Sequence, residues 1–323
     1  MKTSDFEYEL PAELIADRPP EQRGQSRMLI VDRSAGTIEH KHFVDLPAYL
    51  QQGDLLVLND TRVVPARYFS NDGKIELLRL QKLSTTQWQC MVKPGKRMKM
   101  GRTVEIGEAT GVVEGILENG DRVIQFDREV DEENFGHLAL PHYMGRDDEQ
   151  MDRERYQTIY NRYEGAIAAP TAGLHFTPEI LEKFEHAFVT LHVGVGTFQP
   201  VRVDQVEDHV MHSENFVLGE EAVNKISAAK RVVSVGTTVS RVLEHCGRQG
   251  DLVARQGETD IFIYPPCDFN VVDVMLTNFH LPGSTLLMMV SAFAGKDLID
   301  EAYAQAIENK YRFYSYGDCM LIL

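Results

Sequence analysis

The sequence is poor in cysteine, in tryptophan and in long hydrophobic runs. Its 323 residues include 4 Cys and 1 Trp. Cys90, Cys246, Cys267 and Cys319 are scattered, with no C-x-x-C pair. This excludes a disulfide framework and fits a reducing compartment, so a cytoplasmic protein is expected. No cysteine lies beside a histidine-rich patch, which argues against a cysteine nucleophile. No apolar run approaches the roughly 20 residues that cross a bilayer. The richest, Leu286 to Ala294, is interrupted by Ser291 and reads as a buried helix. Met1 to Glu7 lacks a basic region followed by an apolar one, so neither a secretory leader nor a membrane partner is expected. The absence of a G-x-x-x-x-G-K-[ST] loop argues against a P-loop NTPase. Positive charge is also short: 33 Lys and Arg against 49 Asp and Glu leave a net charge of −16. That balance opposes nucleic-acid binding unless the cations are concentrated locally.

One segment does concentrate them. Lys93, Lys96, Arg97, Lys99 and Arg102 fall within ten residues that hold no acid. The segment is either a solvated basic loop or a local phosphate contact on an acidic protein.

The length favours two domains. Met28 to Asp32 and Thr37 to Phe43 read as a strand pair around Ser34-Ala35-Gly36, and Leu55-Leu56-Val57-Leu58 as a fully buried strand. That strand ends in Asn59-Asp60-Thr61-Arg62, at the position where α/β folds place ligand contacts. From Lys74 to Phe126 five short alternating segments follow, two of them joined by Asn119-Gly120, a strong hairpin signal. They suggest a small barrel or sandwich. Asp152 to Tyr163 reads as a polar helix, and strand–turn–helix units follow it. Among them are a strand at Arg231 to Val235, a strand candidate at Asp260 to Tyr264, and a helix with its stripe on Leu298, Ile299, Ala302, Tyr303, Ala306 and Ile307. The expected fold is a discontinuous mixed α/β domain, residues 1–66 and 154–323, with a barrel-like all-β domain inserted at 67–153.

Three polar, glycine-punctuated patches lie between Gly165 and Glu214: Ala169-Pro170-Thr171-Ala172-Gly173-Leu174-His175-Phe176, Leu191-His192-Val193-Gly194-Val195-Gly196-Thr197-Phe198 and His209-Val210-Met211-His212-Ser213-Glu214. They hold four of the 11 histidines. Small residues admit a ligand to the backbone, and hydroxyls and imidazoles can bond to it. Gly194-x-Gly196 is only a fragment of a dinucleotide fingerprint, because position 199 is Gln. His209, His212 and Glu214 have metal-like spacing but no helical H-E-x-x-H pattern, and acid–base work by His212 or Glu214 is the stronger reading. Gly236-Thr237-Thr238 follows a strand and opens a helix, where free N–H groups cap or bind an anion. Asn278 to Thr285 forms another polar loop, in which His280 is either structural or functional and Ser284 or Thr285 caps a helix.

Taken together, Asn59 to Arg67, the Ala169 to Phe176 run, Thr190 to Gly194, Met211 to Glu214, Thr277 to Thr285 and Tyr316-Gly317-Asp318 resemble the S-adenosylmethionine:tRNA ribosyltransferase-isomerase family of queuosine biosynthesis. The resemblance runs from Ser4 to the C-terminus. Departures are confined to shortening near Ser70 to Gly73 and after Phe184, and to Val239-Ser240, transposed from the expected order. The last leaves the role of Ser240 open. The resemblance implies an α/β domain with an inserted β-barrel. It also implies an enzyme that moves the ribosyl part of S-adenosylmethionine onto the aminomethyl group of a 7-deazaguanine at the tRNA wobble position. Epoxyqueuosine forms, and adenine and methionine leave. S-adenosylmethionine is then a consumed co-substrate, with no separate cofactor and no metal.

Such chemistry needs a base for the acidified C5′ hydrogen, loss of a proton from the aminomethyl group, and an acid for departing adenine. The catalytic candidates are His192, His212 and Glu214, with His175 and His280 behind them. Candidates for contact with S-adenosylmethionine or the target base are Asn59, Asp60, Arg62, Arg67, Thr171, Gly173, Gly194, Gly196, Thr197, Ser213, Thr237, Thr238, Arg241, Asn278, Ser284 and Thr285. Arg241 and the Gly236 turn suit methionine's carboxylate, and Asn59, Asp60 and Asn278 suit adenine or ribose. Lys93, Lys96, Arg97, Lys99 and Arg102 suit the tRNA backbone. A monomer is expected. Two alternatives stand beside this reading: a metal-dependent hydrolase built on His209, His212 and Glu214, and a non-catalytic RNA-binding protein.

Overall fold

The strand Asp54–Asn59 runs through the middle of the molecule's larger sheet, buried along its whole length. Leu55 and Val57 pack into the hydrophobic cluster on one face, and Leu56 and Leu58 into the cluster on the other. A strand covered on both faces has to be apolar throughout, which is why Leu55 to Leu58 is unbroken. The structure, a computed structural model, describes residues 1–194, 196 and 201–323. It divides into two compact units, one comprising Met1–Arg62, His142–Arg146 and Glu154–Leu323, the other Val63–Pro141 and Asp147–Arg153.

The first unit is built on a nine-stranded sheet in the order Arg255–Thr259, Glu214–Leu218, His186–Leu191, Asp54–Asn59, Arg231–Val235, Val274–Asn278, Cys319–Ile322, Arg27–Asp32, Thr37–His42. Four neighbours, from His186–Leu191 to Val274–Asn278, are parallel. Their carboxyl ends therefore open on one edge, at Asp60, His192, Gly236 and Phe279. The helices Thr237–Gly247, Thr285–Ala294 and Lys296–Glu308 bury their apolar faces in the first cluster. Gly236, at φ +93°, makes the left-handed turn between its strand and the first of these helices, a conformation that a side chain would strain. Among the described residues no helix is long and apolar enough to cross a membrane.

The second unit is a six-stranded antiparallel sheet in the order Arg67–Phe69, Glu76–Lys82, Gln87–Lys93, Arg122–Phe126, Ala109–Ile116, Thr103–Ile106. It curls until its two ends nearly meet. Asn71 N–H donates to the Glu105 carbonyl at 2.9 Å, and the Asn71 amide exchanges bonds with the Gly107 backbone. Tyr68, Trp88 and Phe126 fill the interior, their ring centroids 4.8 Å apart in sequence. The expected α/β fold with a barrel-like antiparallel sheet is what the structure contains.

Some local expectations fail. Asp152 to Tyr163 is helical only over Asp152–Arg155. The segment has no apolar stripe to bury, and the Arg155 guanidinium instead donates to the carbonyls of Pro20 and Glu21. Asp260 to Tyr264 is not a strand; the edge strand is Arg255–Thr259. The barrel's first strand, Arg67–Phe69, was not foreseen because only Tyr68 of its three residues is buried.

Candidate active site

Two clefts open at the carboxyl ends of the parallel strands. The first is narrow, with a cavity volume of about 80 Å³. Predicted residues Thr171, Thr237, Thr238, Asn278, His280 and Ser284 line it, joined by Tyr143, Tyr156, Tyr314 and Ser315, which the sequence reading missed. Among the described residues, no Lys, Arg, Asp or Glu lies in this lining. Its polarity comes from hydroxyls, backbone and helix ends. Helix Thr237–Gly247 starts without a side-chain cap, and the Thr238 hydroxyl is buried without a partner. Helix Thr285–Ala294 is capped by Ser284, which accepts the Leu287 N–H; Thr285 is its first residue and does not line the cleft. Tyr143 and Tyr314 face one another at 4.5 Å between centroids, and the Tyr143 hydroxyl lies 2.5 Å from Ser315 Oγ.

The second cleft, of about 660 Å³, runs along the His186–Leu191 strand to its end. Predicted residues Asp60 and His192 line it, with Arg162, Tyr163, Thr190 and Lys225, which were not foreseen. The alternation of an extended chain separates the two sites: His192 lines the second cleft and Val193 the first.

His192 is half-buried, and burial lowers its pKa, so it is neutral near pH 7. Its Nδ1 lies 2.8 Å from Thr61 Oγ1, and Thr61 Oγ1 donates to the Tyr163 carbonyl at 3.4 Å. That network assigns the proton to Nδ1 and leaves the Nε2 lone pair for a ligand. His280 sits at the first cleft with Nε2 2.9 Å from Thr277 Oγ1, and burial drives its pKa to about 3.

Other predicted residues have partners inside the protein. His175 bonds through Nδ1 to Ser26 Oγ at 2.9 Å and through Nε2 to Asn278 Oδ1 at 3.2 Å. It is buried, with a pKa near 4. It thereby orients Asn278, whose Nδ2 donates to the Tyr314 carbonyl. The Asn59 amide is spent on the backbone of Leu191 and Thr61. Glu214 and Arg241 form a buried ion pair, and the other Glu214 oxygen accepts the Gly194 N–H at 2.8 Å. Gly173 passes so close to Tyr160 that a Cβ would meet its hydroxyl at 2.2 Å.

The remainder lie at the surface or in the second unit. His212 is exposed against Gly196, and Ser213 donates to Glu258. Arg62 is exposed, 3.9 Å from Glu164. Arg67 pairs with Glu76 and Asp147. Lys93, Lys96, Arg97, Lys99 and Arg102 are all exposed. Thr197 lies outside the described residues. His209 packs edge-on against Phe262. Glu214 cannot join His209 and His212 around an ion, since Arg241 and Gly194 occupy its oxygens.

Two adjoining clefts, one neutral and one charged, beside the carboxyl ends of parallel strands are an arrangement typical of an α/β enzyme. Comparison with known proteins makes this specific. Residues 3–322 match the profile of the family described as queuosine biosynthesis protein. The S-adenosylmethionine:tRNA ribosyltransferase-isomerase of Halothermothrix orenii is 48% identical over 343 residues, with 100% of each chain covered. That of Thermotoga maritima is 46% identical over 338 residues, again covering 100% of both. The crystal structure of an S-adenosylmethionine tRNA ribosyltransferase from Thermotoga maritima superposes with a TM-score of 0.59 at 38% identity, over 99% of this chain and 100% of that one. The chain belongs to the queuosine biosynthesis protein family.

Proposed function

We propose that the protein is an S-adenosylmethionine:tRNA ribosyltransferase-isomerase. It transfers the ribosyl part of S-adenosylmethionine to the aminomethyl group of a 7-deazaguanine at the tRNA wobble position, giving epoxyqueuosine and releasing adenine and methionine. S-adenosylmethionine is consumed as a co-substrate, and no separate cofactor takes part. The observation that carries this reading is the pair of clefts separated by the single step from His192 to Val193. A transfer between a nucleoside and an RNA base needs two such sites side by side.

The neutral cleft suits the donor. A sulfonium gains from the faces of Tyr143 and Tyr314. The uncapped start of helix Thr237–Gly247, with the partnerless Thr238 hydroxyl, suits methionine's carboxylate. This replaces the expectation that Arg241 binds that carboxylate, because Arg241 is already neutralised by Glu214. The charged cleft receives the target nucleotide. His192 Nε2 takes the proton that the aminomethyl group loses before it attacks. His280 offers a neutral imidazole to the donor nucleoside. His175, Glu214 and Arg241 act as positioning residues. The exposed cations from Lys93 to Arg102 contact tRNA phosphates. We place the enzyme in the cytoplasm, as a monomer; its four cysteines are free thiols.

The test is incubation with S-adenosylmethionine and tRNA bearing the 7-aminomethyl-7-deazaguanine base. Adenine and methionine released in equal amounts support the assignment. A methylated tRNA with S-adenosylhomocysteine would overturn it.

A further inference from the structure

Among the described residues, Asp60 is the one carboxylate lining these clefts that is buried without an ion-pair partner. It is 3% exposed. Its backbone is fixed: the N–H donates to the Val189 carbonyl at 3.0 Å, and its own carbonyl accepts the N–H groups of Arg162 and Tyr163 at 2.7 and 3.3 Å. One carboxylate oxygen, Oδ1, accepts the Thr190 hydroxyl at 2.7 Å. Among the described residues no lysine or arginine forms an ion pair with Asp60. Arg162, whose field reaches Asp60, lies over the Phe188 ring at 4.6 Å. Burial raises the Asp60 pKa, against the Thr190 bond and the field of Arg162. Among the described residues, the carboxylate at the cleft wall thus has only the Thr190 hydroxyl and its own backbone amide as donors, where a carboxylate accepts several bonds.

The ligand that suits such a group is planar and presents two adjacent N–H donors. A guanine-type base does so through N1–H and its 2-amino group, which match the two oxygens of a carboxylate. Adenine does not. Its corresponding edge sets an acceptor beside a donor, and the acceptor would face a carboxylate oxygen. A phosphate would be repelled, and among the described residues no group of three or more metal-ligating side chains gathers here. The surroundings agree with a base taken out of its stack. Tyr163, 57% exposed, offers a face for stacking. Arg162 supplies charge for the attached phosphates.

We propose that Asp60 is the specificity-determining residue for the target nucleotide, accepting the N1–H and 2-amino group of the 7-deazaguanine ring. The inference rests on the proposed transferase function and moves Asp60 from the donor nucleoside to the acceptor base.

The experiment compares two tRNAs, one carrying the 7-aminomethyl-7-deazaguanine base and one whose base lacks only the 2-amino group. Wild-type enzyme should lose about 10- to 100-fold in kcat/KM on the second, the cost of leaving one buried carboxylate oxygen without its donor. Asp60→Asn should lose a similar factor on the first tRNA and no more than about 3-fold further on the second, because the same contact is removed twice. Equal turnover of both tRNAs by the wild-type enzyme would overturn the proposal without any variant having to fold. So would losses that multiply in the combined case. Absence of any adenine and methionine release from the first tRNA would instead refute the transferase function itself.

Discussion

Arg241 reaches Glu214 across 27 residues of sequence, and the pair lies beneath the Gly194 backbone, where the second Glu214 oxygen accepts the amide at 2.8 Å. Both side chains are buried, at 4% and 5% exposure, and the pair ties the start of one helix to the loop that carries Val193 into the first cleft. Removing one partner leaves a charge without compensation. Arg241→Met should therefore cost about 3–5 kcal/mol. The double change Glu214→Gln, Arg241→Met should cost clearly less, since it removes both charges. Urea unfolding of the two variants decides the matter, and equal losses would mean that the pair contributes only packing.

This pair marks where the sequence stopped being informative. Leu55 to Leu58 announces a strand buried on both faces because its composition allows nothing else, and the polar residues beyond it are thereby placed at a ligand edge. Burial and partnership are different properties. Glu214 stands two residues from His212 and looks like part of an acid–base group, but strand pairing sets it opposite Thr259, within reach of Arg241. His175 looks equally reactive, yet Ser26 and Asn278 take both ring nitrogens. Conversely, Arg162 and Tyr163 sit in a segment that reads as a featureless polar helix, and bonds to the Asp60 carbonyl and pairing with Thr61–Val63 bring them to a cleft. Contacts made over a hundred residues leave no local pattern.

Two buried imidazoles predict how stability depends on pH. Burial holds His175 near pKa 4 and His280 near 3, against about 6.5 for a free imidazole. Below pH 6.5 the unfolded chain takes up protons that the folded chain refuses. Stability is thus complete above 6.5 and falls with pH toward 4, by up to about 1.4 kcal/mol per pH unit for each histidine. Urea midpoints measured from pH 7.5 to 5.0 should fall steadily. In His175→Gln the fall should be shallower by one histidine's share. An unchanged slope would show that His175 is protonated in the folded protein.

The histidines also separate by activity. His192 is half-buried at the second cleft, with Nδ1 against Thr61, whereas His212 is exposed beside Gly196. General acid–base groups are worth roughly 100- to 10,000-fold. His192→Gln should reduce kcat within that range, with the acid limb of the kcat profile lost. His212→Ala should stay within about tenfold of wild type. The reverse order, with both variants folded by circular dichroism, would move the base to His212.

The basic segment of the second unit makes the last prediction, because its conformation is held from below. Met98 is buried in the barrel core, and the Arg122 guanidinium donates to the carbonyls of Met98 at 2.9 Å and Gly95 at 2.8 Å. Anchored in this way, Lys96, Arg97, Lys99 and Arg102 are displayed around one surface hollow. A phosphate contact adds to affinity through counterion release, so the dependence of log Kd on log salt counts the contacts made. Each change to alanine should lower that slope by roughly one and weaken binding evenly across tRNA sequences. At saturating tRNA, kcat should be unaltered, since these side chains belong to binding and not to bond making. Filter binding of each variant from low to moderate salt supplies the slopes. If all four variants keep the wild-type slope, the segment is a solvated loop and the tRNA backbone is held elsewhere.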